Sequence, residues 1–514
     1  MAFSASKLAA PITFTHSESS RLARVPTLLS LKPTTPNRSP SRLCCSKTSS
    51  SGANGYLSPE DHFSELRSHR SHKGAPVFVT LPADSVTLSG NMARRRTLSA
   101  SLTALSSAGV EGVVVEVWWG IVERVAPMDY DWGAYLEIVD LARRFRLKVR
   151  AIMAFHRSGS QPDDSCWIPL PQWVCEEIDK DPDLAYSDRF GRRNLEYISL
   201  GCDVLPVLRG RSPIQAYSDF MRNFRDTFRE FLGDIITGVQ VGMGPAGELR
   251  YPSCPSEKLS WAWRFRELGE FQCYDKYMLA SLNACARDIG MREWGSGGPL
   301  GASNLMQNPE ETLFFRSDGS WNTPYGRFFL EWYSGMLLLH GERLCMVAEN
   351  IFWGTDVKIS AKVAAIHWHY NTKSHPSELT AGYYNTSLRD GYLPVVRMLG
   401  RYRMALCCAC FDIQDEEEEN VNPSSSPEGF LRQLIFAARM CGIPLAGENS
   451  VTRLDDTSLT QMSGARTFQA KLVFGGSESC LSSASAVEER ARSGLGAYYN
   501  LSTWKGINIG RHAL

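Results

Sequence analysis

Seven short apolar, β-rich runs, most of them parted by stretches with helical spacing, limit what this chain can fold into more than any other feature. They are Val77–Leu81, Gly112–Val117, Leu147–Phe155, Ile235–Val241, Val357–Ile366, Met404–Phe411 and Ile443–Ala446. Between them, Thr97–Ala108, Tyr135–Arg146, Pro213–Leu232, Tyr325–Val347 and Pro427–Cys441 carry apolar residues at helical intervals. Strand followed by helix, repeated, is the signature of βαβ units and a parallel sheet. The reading is α/β, a (β/α)8 TIM barrel with long loops at its C-terminal face, at 156–212 and 249–320. An eighth strand is atypical or missing: only Ala470–Phe474 offers one, inside a Ser-, Gly- and Ala-rich tail.

With 514 residues, 43% of them hydrophobic, the chain can bury a large core. Basic and acidic side chains balance at 55 each, which gives no reason to expect nucleic acid or a membrane surface as partner. The distribution is uneven. Residues 1–50 hold Lys7, Arg21, Arg24, Lys32, Arg38, Arg42 and Lys47 against the single acid Glu18, among many Ser, Thr and Pro. That is plastid transit-peptide composition, and it leaves the remainder mildly acidic. The expected organisation is a leader at 1–50, a polar linker at 51–75, a barrel at 76–462 and a divergent tail at 463–514. The cysteines fall on apolar segments and read as buried thiols; Cys407 and Cys410 form a C-x-x-C with no second ligand pair, so no metal is expected.

The chemistry centres on Gly242–Cys254, reading Gly-Met-Gly-Pro-Ala-Gly-Glu-Leu-Arg-Tyr-Pro-Ser-Cys. It follows the fourth run and places Glu248 just past that strand's C-terminal end, between glycines that allow close backbone approach. Taken alone, Glu248 is either a catalytic acid or a loop glutamate paired with Arg250. A second carboxylate, Glu448, follows the seventh run in Ala446-Gly-Glu-Asn449, and a barrel brings both strand ends to one face. Other strand ends supply Glu116, Trp118, His156, Lys362, His367, Trp368, Asp412 and Asn449. Two carboxylates among aromatic and hydrogen-bonding side chains suit glycosidic bond cleavage, where one group gives a proton and the other activates water. No P-loop or GxSxG elbow competes with that reading.

From Pro76 to about Met462 the chain resembles the plant β-amylase family. The resemblance rests on Gly-Pro-Ala-Gly-Glu-Leu-Arg-Tyr-Pro-Ser at 244–253, Glu378-Leu-Thr-Ala-Gly-Tyr-Tyr-Asn385 and Ala446-Gly-Glu-Asn449. It implies a cofactor-free barrel that removes maltose from the non-reducing ends of α-1,4-glucan with inversion. Glu248 matches the family's general acid and Glu448 its general base. His156, Asp164, Lys362, His367 and Asn449 match positions that hold the glucan (starch, maltodextrin) or maltose.

The departures fall in the substrate-handling segments. The family's mobile loop, His-Gln-Cys-Gly-Gly-Asn-Val-Gly-Asp, is here His156-Arg-Ser-Gly-Ser-Gln-Pro-Asp-Asp164, with Ser160 and Asp163 in place of glycines and Pro162 stiffening the turn. Thr-Cys-Leu-Glu becomes Ala409-Cys-Phe-Asp412, a strand-two Asp becomes Glu116, a strand-four Glu becomes Gln240, and His369 replaces a Trp. An arginine on the family's last strand has no counterpart in the tail. The sequence thus leaves open a β-amylase of reduced or lost activity, a fully active exo-hydrolase, and a non-catalytic glucan- or maltose-binding regulatory protein with a protein partner.

Overall fold

The computed structural model describes residues 76–159, 166–253, 268–302, 308–409, 411, 413–416, 422–450 and 467–471. Eight parallel strands close into a barrel: β1 (Val77–Thr80), β2 (Gly112–Trp118), β3 (Lys148–Ala154), β4 (Ile236–Val241), β5 (Lys358–Val363), β6 (Ala405–Cys408), β7 (Leu445–Ser450) and β8 (Thr467–Lys471). The eighth strand is present. It pairs with β1 through Phe468 opposite Val77 and with β7 through Gln469 opposite Glu448, beginning three residues before the run expected from the sequence. The leader, the linker and most of the tail lie outside the described residues.

Helices pack outside the barrel, and local chemistry sets their ends. Ser212 and Gln215 form a capping box at the start of Pro213–Thr227, and Thr323 and Ser426 cap Pro324–Phe352 and Pro427–Met440. Gly133–Arg144 buries Ala134, Tyr135, Ile138, Val139, Leu141 and Ala142, one face at three- and four-residue spacing. The main core lies between strands and helices. A smaller cluster of Phe78, Val114 and Ile152 stands apart from it.

Strand alternation explains that second cluster and also places the chemistry. Register pairs Phe78 with Gly112, Val114 with Arg150, Ile152 with Gln240, Gln240 with Ser360 and Lys362 with Cys407, so these residues share the inward face. Low in the barrel the Arg150 guanidinium lies over the Phe78 ring at 4.2 Å. Gly238 leaves room for it, since a Cβ there would meet Arg150 Cγ at 3.3 Å. Two steps further along each strand, the same face carries Glu116, Lys362 and Glu448 to the mouth.

The family-like stretch Glu378–Asn385 is structural. Glu378, fully buried, accepts from Asn385 Nδ2 at 3.0 Å and Tyr392 OH at 2.7 Å and pairs with His375. Tyr383 carries the effect to the mouth: its hydroxyl donates to the Leu249 carbonyl at 2.7 Å and accepts from the Ala364 N–H at 2.9 Å. It thereby ties the loop behind Glu248 to the end of β5. Tyr383→Phe leaves both buried backbone groups without that partner and is expected to cost about 2 kcal/mol. Urea unfolding followed by tryptophan fluorescence measures this, and an unchanged midpoint would remove the buttress.

Candidate active site

Glu248 reaches the mouth on a short 3-10 turn, Pro245–Gly247, after β4. Two glycines are required there. A Cβ on Gly244 would stand 2.5 Å from the Glu248 carbonyl oxygen, and Gly247 has φ +72° with its face turned to His156 Cε1 at 3.7 Å. Backbone bonds then seat the acid: the Leu249 N–H donates to the Lys362 carbonyl at 2.9 Å, and Glu248 and Lys362 form a parallel bridge. Glu448 arrives differently from the sequence expectation. It stands within β7, not on a turn beyond it, because Glu448 and Asn449 keep strand pairing with Gln469 and Ala470.

One ammonium joins the two carboxylates. Lys362 Nζ lies 2.8 Å from Glu448 Oε2 and 3.5 Å from Glu248 Oε1. Arg250 Nε donates to the other Glu248 oxygen at 2.8 Å. Both readings of Glu248 are therefore visible at once, an inward carboxylate at the barrel mouth and a partner of Arg250. Burial alone would lower the Lys362 pKa, but Glu248 and Glu448 outweigh it and hold the ammonium well above its usual range.

The remaining residues arrange themselves around this trio. His156 is buried edge-on against Trp118, ring centroids 5.0 Å apart. Trp118 is itself only 2% exposed, which makes it part of the wall and not an open stacking platform. His367 sits beyond β5, with Nδ1 2.8 Å from Ser425 Oγ and its ring 4.9 Å from Trp368. His369, at φ 61°, turns Nδ1 to Ser377 Oγ at 2.7 Å. Asp164, Asp412 and the Asn449 side chain lie outside the described residues. Sequence reasoning missed Ser425 and the half-buried Glu196 and gave no role to Tyr383 within the Glu378–Asn385 motif; none belongs to a strand end, and only the packed structure shows what they hold.

The comparisons with known proteins bear on this geometry. The sequence matches Glycosyl hydrolase family 14 over residues 78–476. The chain belongs to that family. The match runs through β8 and includes both glutamates. Similar family members include beta-amylase 1, chloroplastic, of Arabidopsis thaliana, 54% identical over 76% of this chain and 67% of that one. Beta-amylase 1, chloroplastic, of Oryza sativa subsp. japonica is 52% identical over 80% and 76%. Among solved structures, the catalytic domain of a beta-amylase from Paenibacillus polymyxa superposes with a TM-score of 0.63 at 24% identity, covering 77% of this chain and 92% of that one, which shows the shared fold. The chain is thus a member of the β-amylase family of glycoside hydrolases, and the plastid address read from its first 50 residues agrees with the chloroplastic plant members.

Two site histidines give this barrel a pH signature. Burial pushes the His367 imidazole down to about 4, with Asp415 opposing only in part, and burial pushes His369 down to about 4 as well. Both rings stay neutral in the fold while the unfolded chain protonates them near 6.5. Their contribution is complete above pH 6.5 and is lost as pH falls toward 4, on the order of 3 kcal/mol for each ring. Unfolding midpoints between pH 7 and 4.5 should fall for the parent and fall less for the double variant His367→Gln, His369→Gln; parallel curves would contradict neutral burial.

Proposed function

We propose that this chain hydrolyses α-1,4-glucan from the non-reducing end and releases maltose with inversion, with Glu248 as acid and Glu448 as base. What supports this is one juxtaposition: two carboxylates, one on the turn after β4 and one on β7, meet at a single ammonium group. Inversion needs room for one water between base and sugar, and that stereochemistry is carried over from the family resemblance. Two carboxylates and water suffice for the chemistry, with no metal or cofactor. His156, Asp164, Lys362, His367 and Asn449 are the residues proposed to hold the glucan.

The same site argues for a reduced rate. Glu248 rests in ion pairs with Arg250 and Lys362, contacts that an entering sugar has to share. Gln240, buried on the inward face of β4, has no partner for Oε1 among the described residues, where the family carries a carboxylate. His369 is bonded to Ser377 and turned from the role of a stacking ring. Ala409 offers no hydroxyl at the end of β6. Contacts made chiefly in the transition state multiply when lost, so several modest changes lower kcat steeply. The same observations favour a second reading, a regulatory protein that binds glucan or maltose on the barrel without turning it over.

Purified protein incubated with maltopentaose, beside the Arabidopsis relative, is expected to release β-maltose with kcat/KM lower by about tenfold or more. Glu248→Gln should abolish that release, and Ala409→Thr with Asp412→Glu should raise it severalfold. Maltose binding without turnover in the parent and in the restored variant would establish the regulatory reading instead.

A further inference from the structure

Beside the mouth lies a hairpin, Ala185–Ser187 paired with Arg193–Ile198, that forms a separate two-stranded sheet and takes no part in closing the barrel. Its Glu196 touches two loops of the site. The Glu196 carbonyl accepts the Arg157 N–H at 2.8 Å, which fixes the residue following His156. Its Oε1 accepts the Ala246 N–H at 2.9 Å, two residues ahead of Glu248. Glu196 is held in turn, its own N–H donating to Asn194 Oδ1 at 2.8 Å.

The Ala246 contact falls where the backbone needs support. Ala246 has φ 52° and Gly247 has φ 72°, so two successive left-handed residues deliver the acid. Glycine adopts that region freely; alanine does so against a steric cost and persists there only when its surroundings hold it. Glu196 Oε1 is the acceptor that satisfies the amide in this conformation. Burial raises the Glu196 carboxyl pKa, Arg250, the Ala246 N–H and Arg157 draw it back, and Glu248 raises it again. Its surroundings are thus those of the site itself, although no strand end and no family-like motif marks it.

We propose that Glu196 is a positioning residue: by accepting the Ala246 N–H it holds the left-handed turn that aims Glu248, and through its carbonyl it couples that turn to His156–Arg157 across the mouth. This rests on Glu248 acting as the acid. A Gln at 196 keeps an oxygen at the same reach and preserves the contact. An Asp keeps the charge but withdraws the oxygen, and an Ala removes it.

The full chain carrying Glu196→Gln, Glu196→Asp or Glu196→Ala tests the idea through kinetics on maltopentaose and amide hydrogen exchange over 244–249, with thermal unfolding to verify folding. Glu196→Ala and Glu196→Asp should lower kcat about tenfold while KM stays within about twofold, and should speed exchange of the segment by a similar factor. Glu196→Gln should keep at least about half of the parental kcat and the parental protection. Parental kcat in Glu196→Ala, or equal damage in Glu196→Gln, overturns the proposal; if Ala fails to fold, Asp against Gln decides it. Should the parent show no turnover, exchange decides alone, with equal protection in all variants as the overturning result. Turnover that survives Glu248→Gln would instead remove the acid assignment, a failure separate from that of Glu196, for which the exchange result then stands.

Discussion

A single ammonium, Lys362 Nζ, sits between Glu248 and Glu448, and the rest of the mouth is arranged to make that position possible. Two carboxylates facing each other at a partly buried site repel, and in an environment less polar than water the repulsion is severe. Lys362 relieves it because β5 lies in the barrel order between β4 and β7, with its inward residues aimed at the space both acids enter. The lysine also shares a backbone bridge with Glu248, so charge and chain position are set by one residue.

Around this trio the polypeptide spends its most family-like sequence on support. Tyr383 and the buried Glu378 cluster brace the loop that carries Leu249, while Glu196 holds the opposite side of the same turn. Glycine is needed at 244, where the backbone passes too close to Glu248 for any side chain. A stretch as distinctive as Gly244–Ser253 therefore encodes a shape first and a reagent second.

How much of this the sequence disclosed follows from what each residue depends on. Seven strands were legible because β-branched runs such as Val113-Val114-Val115 are buried on both faces, and their edges fell within a few residues of the observed ones. β8 was nearly illegible: Thr467–Lys471 is a mixed five-residue run whose strand state depends on pairing with both β1 and β7, which no local pattern records. Glu448 was placed correctly at the mouth but read as lying past its strand, since Gly447 looks like a turn until β6 and β8 are seen on either side. Glu248 and Glu448 stood out through motif. Glu196 and Ser425 did not, because their contacts join segments far apart in the chain.

The register that joins Val77 to Phe468 has a consequence of its own for how this molecule comes into being. The first strand can find one neighbour early, in β2, but its other edge waits for a partner nearly four hundred positions away. Whether the chain is made or threaded from its amino end, the cylinder remains an open sheet until residue 471 has emerged. Pairings that remote are slow to form and leave exposed edges while they wait. The last strand, adjacent to Glu448, is thus also the latch on a long-lived unfinished sheet, and the mouth that holds both glutamates is completed only when that sheet becomes a ring.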